Sequence, residues 1–292
     1  MKIRISYITK HLGVALGISC ALAGLTSCDY VSSDDRYIKG PEITAERAVL
    51  LEDFTGQNCL NCPDAHEVIE LLQEQFGSDN LVAVSIHCGS FGISTKRTNF
   101  STGSIGLMTD EGNAILEAYG ITSFPMGVIN FGKPTTYDLW TTAVRNAIKM
   151  PTDVQIGLST SFQEEYDEQT GGKSGTITAT ADILSGSTRI ANVQFWVVED
   201  GIIAQQKLSD GQINKQYVHN NVFRGQMLPG LKGKQISLTE AFVNSVTASI
   251  PIRWTDKERW NTSMIYVVCI VSDETGVIQV KRADLIDRSL IN

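Results

Sequence analysis

Apolar residues follow two textures along this chain, and the change between them falls near Pro151. Before it, short continuous apolar runs alternate with stretches whose apolar positions recur every three or four residues. Ala48 to Phe54 reads as a buried strand. Thr55 to Asn58 reads as a turn, and Pro63 stands in a first-turn position of a helix, where its missing N–H is no loss. Ala65, Val68, Ile69, Leu71, Leu72 and Phe76 then make one helical face, closed by Gly77. Leu81 to Ile86 is nearly all apolar, as a parallel strand covered on both faces should be. Together these elements predict a β-α-β unit. Residues 89–111, rich in Gly, Ser and Thr, read as an inserted loop over one edge. A helix at 112–119, the segment Gly120 to Pro125, a strand from Met126 to Phe131 and a helix from Tyr137 to Lys149 complete an α/β domain over residues 46–150.

Beyond Thr152 the segments 154–162, 175–184, 189–198, 202–206, 246–252, 264–272 and 276–282 alternate apolar with polar residues. Asp200-Gly201 and Asp273 to Gly276 are suited to hairpin turns. About seven short strands with no helical pattern predict an all-β immunoglobulin- or fibronectin-like sandwich domain over residues 151–292. Tyr217 to Gly225 is the unusual segment, aromatic and polar together. Its His219 and Arg224 are suited to meet a partner, but polar stitching of a long loop to the sandwich is the preferred reading.

The N-terminus bears on location. Lys2, Arg4 and Lys10 precede an uncharged apolar run from Leu12 to Leu25, too short for a bilayer span of about 20 residues. The pattern predicts a secretory signal over residues 1–27. Leu25-Thr26-Ser27-Cys28 resembles a bacterial lipoprotein cleavage box, which implies cleavage before Cys28 and its lipidation. Several acyl chains on one residue suffice for stable anchoring, because each buried methylene contributes about 0.8 kcal/mol. Residues 28–45 read as a polar tether. Loss of the leader's three cations moves the formal charge from −8 to −11. An acidic chain with no basic run argues against nucleic-acid binding.

Four cysteines follow the tether: Cys59, Cys62, Cys88 and Cys269. Cys59-Leu60-Asn61-Cys62 falls between a predicted strand and a predicted helix, a context that points to redox chemistry. Unpaired N–H groups and the dipole at a helix N-terminus stabilise a thiolate, so Cys59 should have a lowered pKa. Cys62 can then attack a mixed disulfide formed on Cys59 and release the partner. Zinc is disfavoured, since no second C-x-x-C and no ligand-spaced histidine pair is present. A structural disulfide would close too short a loop to constrain the unfolded chain much. An inert redox remnant stays open.

The segment around Cys59 resembles thioredoxins. Asp53 precedes Cys59 at the spacing of their buried acid, which implies proton transfer as the second cysteine reacts; a strand-end carboxylate facing solvent is an equal alternative. Tyr119-Gly120-Ile121-Thr122-Ser123-Phe124-Pro125 is similar to the thioredoxin segment ending in a cis-proline. That implies a cis Phe124–Pro125 bond beside the cysteines, with Ser123 and Phe124 against an extended peptide. Asn58 stands where those proteins have tryptophan, and Leu60-Asn61 replaces Gly-Pro, so the redox potential does not carry over. His87 and Cys88 should lie on the same side as possible proton-handling or thiol neighbours, with an inert buried Cys88 favoured. Cys269 reads as core.

The C-x-x-C-P motif, the lipoprotein box, the β-rich tail and the Tyr217-Val218-His219-Asn220 stretch together resemble the outer-membrane-protein-28-related lipoproteins. That resemblance implies an outer-membrane lipoprotein on the periplasmic or cell-surface face. Two functions follow as expectations: thiol–disulfide exchange on protein partners, or surface binding and adhesion with the thioredoxin fold as scaffold. A weaker third is an accessory subunit docked to an outer-membrane partner. No small-molecule cofactor and no metal are indicated.

Overall fold

The apolar run after residue 47 becomes the first strand. In the computed structural model, which describes residues 47–168, 172–255 and 257–285, β1 (Val49–Thr55) is buried along its whole length. The expected leader, the lipidation site Cys28 and the tether lie outside the described residues. β1 leads through Cys59 into α1 (Cys62–Phe76), and the chain returns in β2 (Leu81–His87). β2 pairs with β1 in parallel from Val49↔Leu81 to Thr55↔His87, the β-α-β unit that the periodicity predicts.

β3 (Met126–Ile129) pairs antiparallel with the other edge of β1, Met126 opposite Phe54. It stops two residues short of expectation because Asn130 and Phe131 take φ values of 52° and 60°, outside the extended region. α2 (Asp110–Tyr119) starts earlier than expected because Thr109 caps it, its hydroxyl accepting from the Gly112 N–H. α3 (Trp140–Ile148) follows a 3₁₀ turn at Tyr137–Leu139. The insertion before α2 carries 3₁₀ turns at Gly89–Phe91 and Thr95–Arg97.

The remaining strands are β4 (Val154–Asp167), β5 (Gly172–Ser185), β6 (Arg189–Glu199), β7 (Ile202–Lys207), β8 (Ile213–His219), β9 (Val222–Gln226), β10 (Lys234–Leu238), β11 (Val243–Pro251), β12 (Ile265–Asp273) and β13 (Gly276–Asp284). Strands β8, β9 and β10 were not expected from the pattern. The segment Tyr217 to Gly225, read as a loop, is instead the end of β8 and most of β9.

The principal sheet runs β13-β12-β6-β9-β2-β1-β3, with β10 also on β6. Strands from both sides of Pro151 therefore share one sheet. The junction is narrow: β9 meets β2 in parallel at Ser85↔Val222, with the Ser85 N–H donating to the Asn221 carbonyl at 2.6 Å. β6 divides one edge, pairing through Arg189–Val193 with β10 and through Trp196–Glu199 with β9.

β6 and β12 are buried on both faces, which explains why Ile265 to Val271 is apolar throughout. On one face Val193, Phe195, Val197, Val267 and Cys269 pack against β5 and β11 of the smaller sheet β11-β5-β4. On the other, Trp196, Val198, Tyr266 and Val268 pack with Leu50, Phe54, Val84 and Ile86 of β1 and β2. Trp196 stands edge-on to Phe223 at 5.4 Å and lies 6.3 Å from Phe131. The opposite face of β1 and β2 is covered by α1 and α3. The result is a mostly β, mixed α/β architecture.

Two buried carboxylates lie in this core. Glu199 meets the Arg224 guanidinium at 3.1 Å, both nearly inaccessible. Glu52, in the middle of β1, accepts from the Tyr119 hydroxyl at 2.9 Å. Burial pushes the Glu52 carboxyl up to about 8, against the opposing pull of that hydrogen bond.

Candidate functional site

β1 and β2 run out at the same edge, and the motif sits there. After Thr55 the chain turns at Gly56, whose carbonyl accepts from the Cys59 N–H at 2.9 Å. A side chain at Gly56 would put its Cβ 2.5 Å from the Phe91 carbonyl carbon, so only glycine lets the insertion pack here. The Asn58 N–H donates to the Phe91 carbonyl at 2.9 Å, fixing that contact. Cys59 and Cys62 form a disulfide. Cys62 opens α1, Pro63 occupies its first turn, and no side chain caps the helix. The free N–H groups and helix dipole thus face the cysteine loop. Leu60 and Asn61 project outward, whereas Cys59 is 3% and Cys62 0% exposed.

The Phe124–Pro125 bond is cis, as the similarity of the segment implied. Pro125 is buried and directly precedes Met126, the partner of Phe54, which places it at the end of β1 that leads to Cys59. Ser123 is exposed, and Phe124 is half-buried with its ring edge-on to Phe91 at 5.4 Å. Leu60, Phe91 and Phe124 give the site an apolar rim.

Polar groups lie behind the disulfide. Asp53 is fully buried rather than solvent-facing: its Oδ2 accepts from the Ser85 hydroxyl at 3.1 Å and lies 3.4 Å from His66 Nε2. His66 Nε2 is also 3.1 Å from Thr55 Oγ1, and Nδ1 is 2.9 Å from the Tyr217 hydroxyl. Cys88 is buried, its thiol directed at the Ile86 carbonyl at 3.2 Å. Burial and then the nearby Asp53 push that thiol up, which keeps it protonated and unreactive. His87 is buried 5.1 Å from the His219 ring. Burial, then His219 and His66, hold His87 well below the ordinary histidine range, so it is neutral. Burial and His66 likewise push His219 down to about 3.

The hairpin of β7 and β8 reaches over this edge from the second half of the chain. Gln206, fully buried, donates to the Cys59 carbonyl at 2.9 Å and to the Gly56 carbonyl at 3.4 Å. The Lys207 N–H donates to the Gln57 carbonyl at 2.8 Å. Gln57 in turn donates to the Ile105 carbonyl at 2.7 Å and accepts from the Leu107 N–H at 3.0 Å. The cysteine loop is thereby clamped between the insertion and the hairpin.

The structure brings Cys59, Cys62, Asp53, His87, Cys88, Phe124 and Pro125 to one edge, while Cys28 lies outside the described residues. Sequence reasoning missed His66, Gln57 and Gln206, and it marked the segment of Tyr217 as unusual without giving it a place in this site. For His66 a signal existed: it lies four residues after Cys62, hence on the same helix face. Among the described residues no cluster of three or more His, Cys, Asp or Glu side chains is arranged to hold a metal ion.

Comparison with known proteins adds the lineage. No curated protein matches the chain. HBP35 of Porphyromonas gingivalis is similar in structure, with a TM-score of 0.59 at 14% identity, over 83% of this chain and 76% of that one. A domain of the outer membrane lipoprotein Omp28 from the same organism aligns over 46% of this chain and 88% of its own, at 16% identity. Its TM-score of 0.30 is too low to bear on the fold. The family model described as outer membrane protein Omp28 matches residues 112–288, a span that begins after the cysteine motif. Since that span exceeds half of the chain, the protein belongs to the Omp28 outer membrane protein family and has its place at the outer membrane.

Proposed function

We propose that this protein is a lipid-anchored thiol–disulfide exchange protein of the outer membrane, with a thioredoxin-like layer carrying the reactive pair and an immunoglobulin-like sandwich joined to it through the shared principal sheet. The anchor in this reading is Cys28. The observation that carries it is the Cys59–Cys62 disulfide at the open N-terminus of α1, with the cis Phe124–Pro125 bond at the same end of the sheet. A partner thiolate attacks the Cys59 sulfur, the Cys59–Cys62 bond breaks, and Cys62 leaves as a thiolate. A second partner thiol, once ionised, attacks its own sulfur in the mixed disulfide and expels Cys59. The partner ends as a disulfide and the protein as a dithiol, two electrons having passed. The reverse sequence oxidises the protein. Asp53 handles the proton of Cys62, while Ser123, Phe124 and Pro125 form the bed for an extended partner segment, bordered by Leu60 and Phe91.

A second reading, surface binding, draws on the exposed cross-strand pair Leu184 and Val243 and the adjacent Phe242, which is 67% exposed. Cys59→Ser separates the two, since it removes exchange and leaves such a surface untouched. The direct test incubates the full chain in detergent with a reduced peptide dithiol. One peptide disulfide should form per protein, with two new alkylatable thiols at Cys59 and Cys62, and Cys59→Ser should form none. A peptide left reduced would sink the exchange reading.

A further inference from the structure

Asp53 presents a problem of access. Its side chain is 0% exposed, and its Oδ1 has no hydrogen-bond partner among the described residues. Ser85, which donates to Oδ2, is itself buried. A carboxylate that trades a proton with Cys62 needs an exit to water. His66 is the group beside it that reaches outward: its Nε2 lies 3.4 Å from Asp53 Oδ2, and its side chain is 14% exposed. His66 stands one helical turn after Cys62, on the face of α1 that Cys62 shares. From its other nitrogen the line continues to the half-buried Tyr217 hydroxyl, 2.9 Å away on β8.

We propose that His66 and Tyr217 form a proton relay that connects the buried Asp53 and Cys62 to solvent, so that the hairpin of the second half supplies part of the redox site. The inference rests on the exchange reading above. When the disulfide is reduced, the departing Cys62 thiolate takes a proton from Asp53, which recovers one from His66, which recovers one through Tyr217 from water. In the oxidising direction each proton moves the opposite way: Cys62 gives up its thiol proton, and its thiolate attacks the mixed disulfide on Cys59. The relay carries no electrons; the peptide dithiol or disulfide supplies or receives both.

The surroundings suit a single proton path. From β1 the groups facing His66 are Asp53 and Thr55. From β8 they are Tyr217 and His219, the latter with ring centroids 6.4 Å away. His87 on β2 acts on the cluster from behind and is itself under the influence of Arg224. Both His87 and His219 are buried and neutral, so neither competes for the proton. On α1 itself Asp64, Glu67 and Glu70 bear on Tyr217. Cys88, close to Asp53, holds its proton throughout.

The test measures both rate and equilibrium of exchange between the full chain in detergent and a peptide dithiol–disulfide pair, across pH. His66→Gln keeps a hydrogen-bonding side chain of similar reach but carries no proton. It should slow exchange by about a hundredfold, the low end of ordinary general acid–base contributions, and remove an inflection from the pH–rate profile. The equilibrium constant at a fixed pH should stay at the wild-type value, because a relay alters rate alone. Tyr217→Phe, a milder change that keeps the ring, should slow exchange by about tenfold, a smaller share of the same contribution. Wild-type rates in both variants overturn the relay while leaving the exchange reading intact. So does an equilibrium shifted as far as the rate, which would make His66 an electrostatic neighbour. A wild-type chain that exchanges nothing overturns both.

Discussion

Cys62→Ser is expected to turn the protein into a trap for its partners. With serine at the head of α1, Cys59 is a free thiol whose thiolate attacks a partner disulfide, expelling the partner's other sulfur as a thiolate and making the mixed disulfide. No second thiol stands on the same helix turn to resolve it. Cys88 cannot substitute, since it is buried and its thiol is held protonated by burial and by Asp53. Release then depends on an external thiol, and the loss of an intramolecular nucleophile should slow it by roughly a thousandfold or more. The variant should fold, because a disulfide between residues three apart closes a loop too short to restrict the unfolded chain much. Non-reducing gels of the variant should show covalent adducts that vanish on reduction, with the adducted peptide mapping to Cys59. No adducts, or adducts on another cysteine, would remove Cys59 from its role.

Glu52→Gln is expected to flatten the dependence of stability on pH. The folded state holds this carboxyl protonated up to about 8, whereas an unfolded chain releases the proton near the ordinary value of 4.5. A raised folded pKa means that the native state binds the extra proton. Stability from this group is therefore present below pH 4.5 and is lost as pH rises through about 8. The loss should be on the order of a few kcal/mol. His87 and His219, neutral when folded and chargeable when unfolded, act with the opposite sign: they withdraw stability as pH falls below their ordinary 6.5. The difference between wild type and variant cancels that acid limb. Urea unfolding at pH 5 and pH 9 should show the variant gaining on wild type by a few kcal/mol at the higher pH. An equal difference at both values would mean that Glu52 ionises normally inside β1.

The β-α-β unit was legible because each of its elements carries its own periodicity. β1 and β2 are continuous apolar runs, and α1 has a single apolar face ended by Gly77. The cis bond was legible through the Ser123-Phe124-Pro125 segment. β8, β9 and β10 were not, for separate reasons. β8 belongs to a two-stranded sheet with mostly exposed residues, so Ile213 to His219 has no alternation to detect. β9 contains Arg224, which a hydropathy pattern places outside, yet it is buried against Glu199. β10, Lys234 to Leu238, is short and largely polar.

The shared sheet escaped because strand pairing between Ser85 and Val222 leaves no trace in local pattern. The segment 264–272 reads as alternating, whereas β12 is buried on both faces, and local pattern does not say what covers the second. The same limit hid the rear of the site. Tyr217 stands 151 residues from His66 in sequence and meets it only through the hairpin that crosses from one half to the other. The unusual chemistry of Tyr217 to Gly225 was visible, but its target was not.

The most direct measurement is the pH dependence of Cys59 alkylation after mild reduction of the folded full chain. Exchange requires a thiolate stabilised by the open end of α1, so the midpoint should lie well below the ~8.5 of an unperturbed cysteine, with Cys62 alkylating far more slowly. A midpoint at ~8.5, or a disulfide that yields to reductant only when the protein unfolds, would contradict the account and leave the cysteine pair as a structural feature.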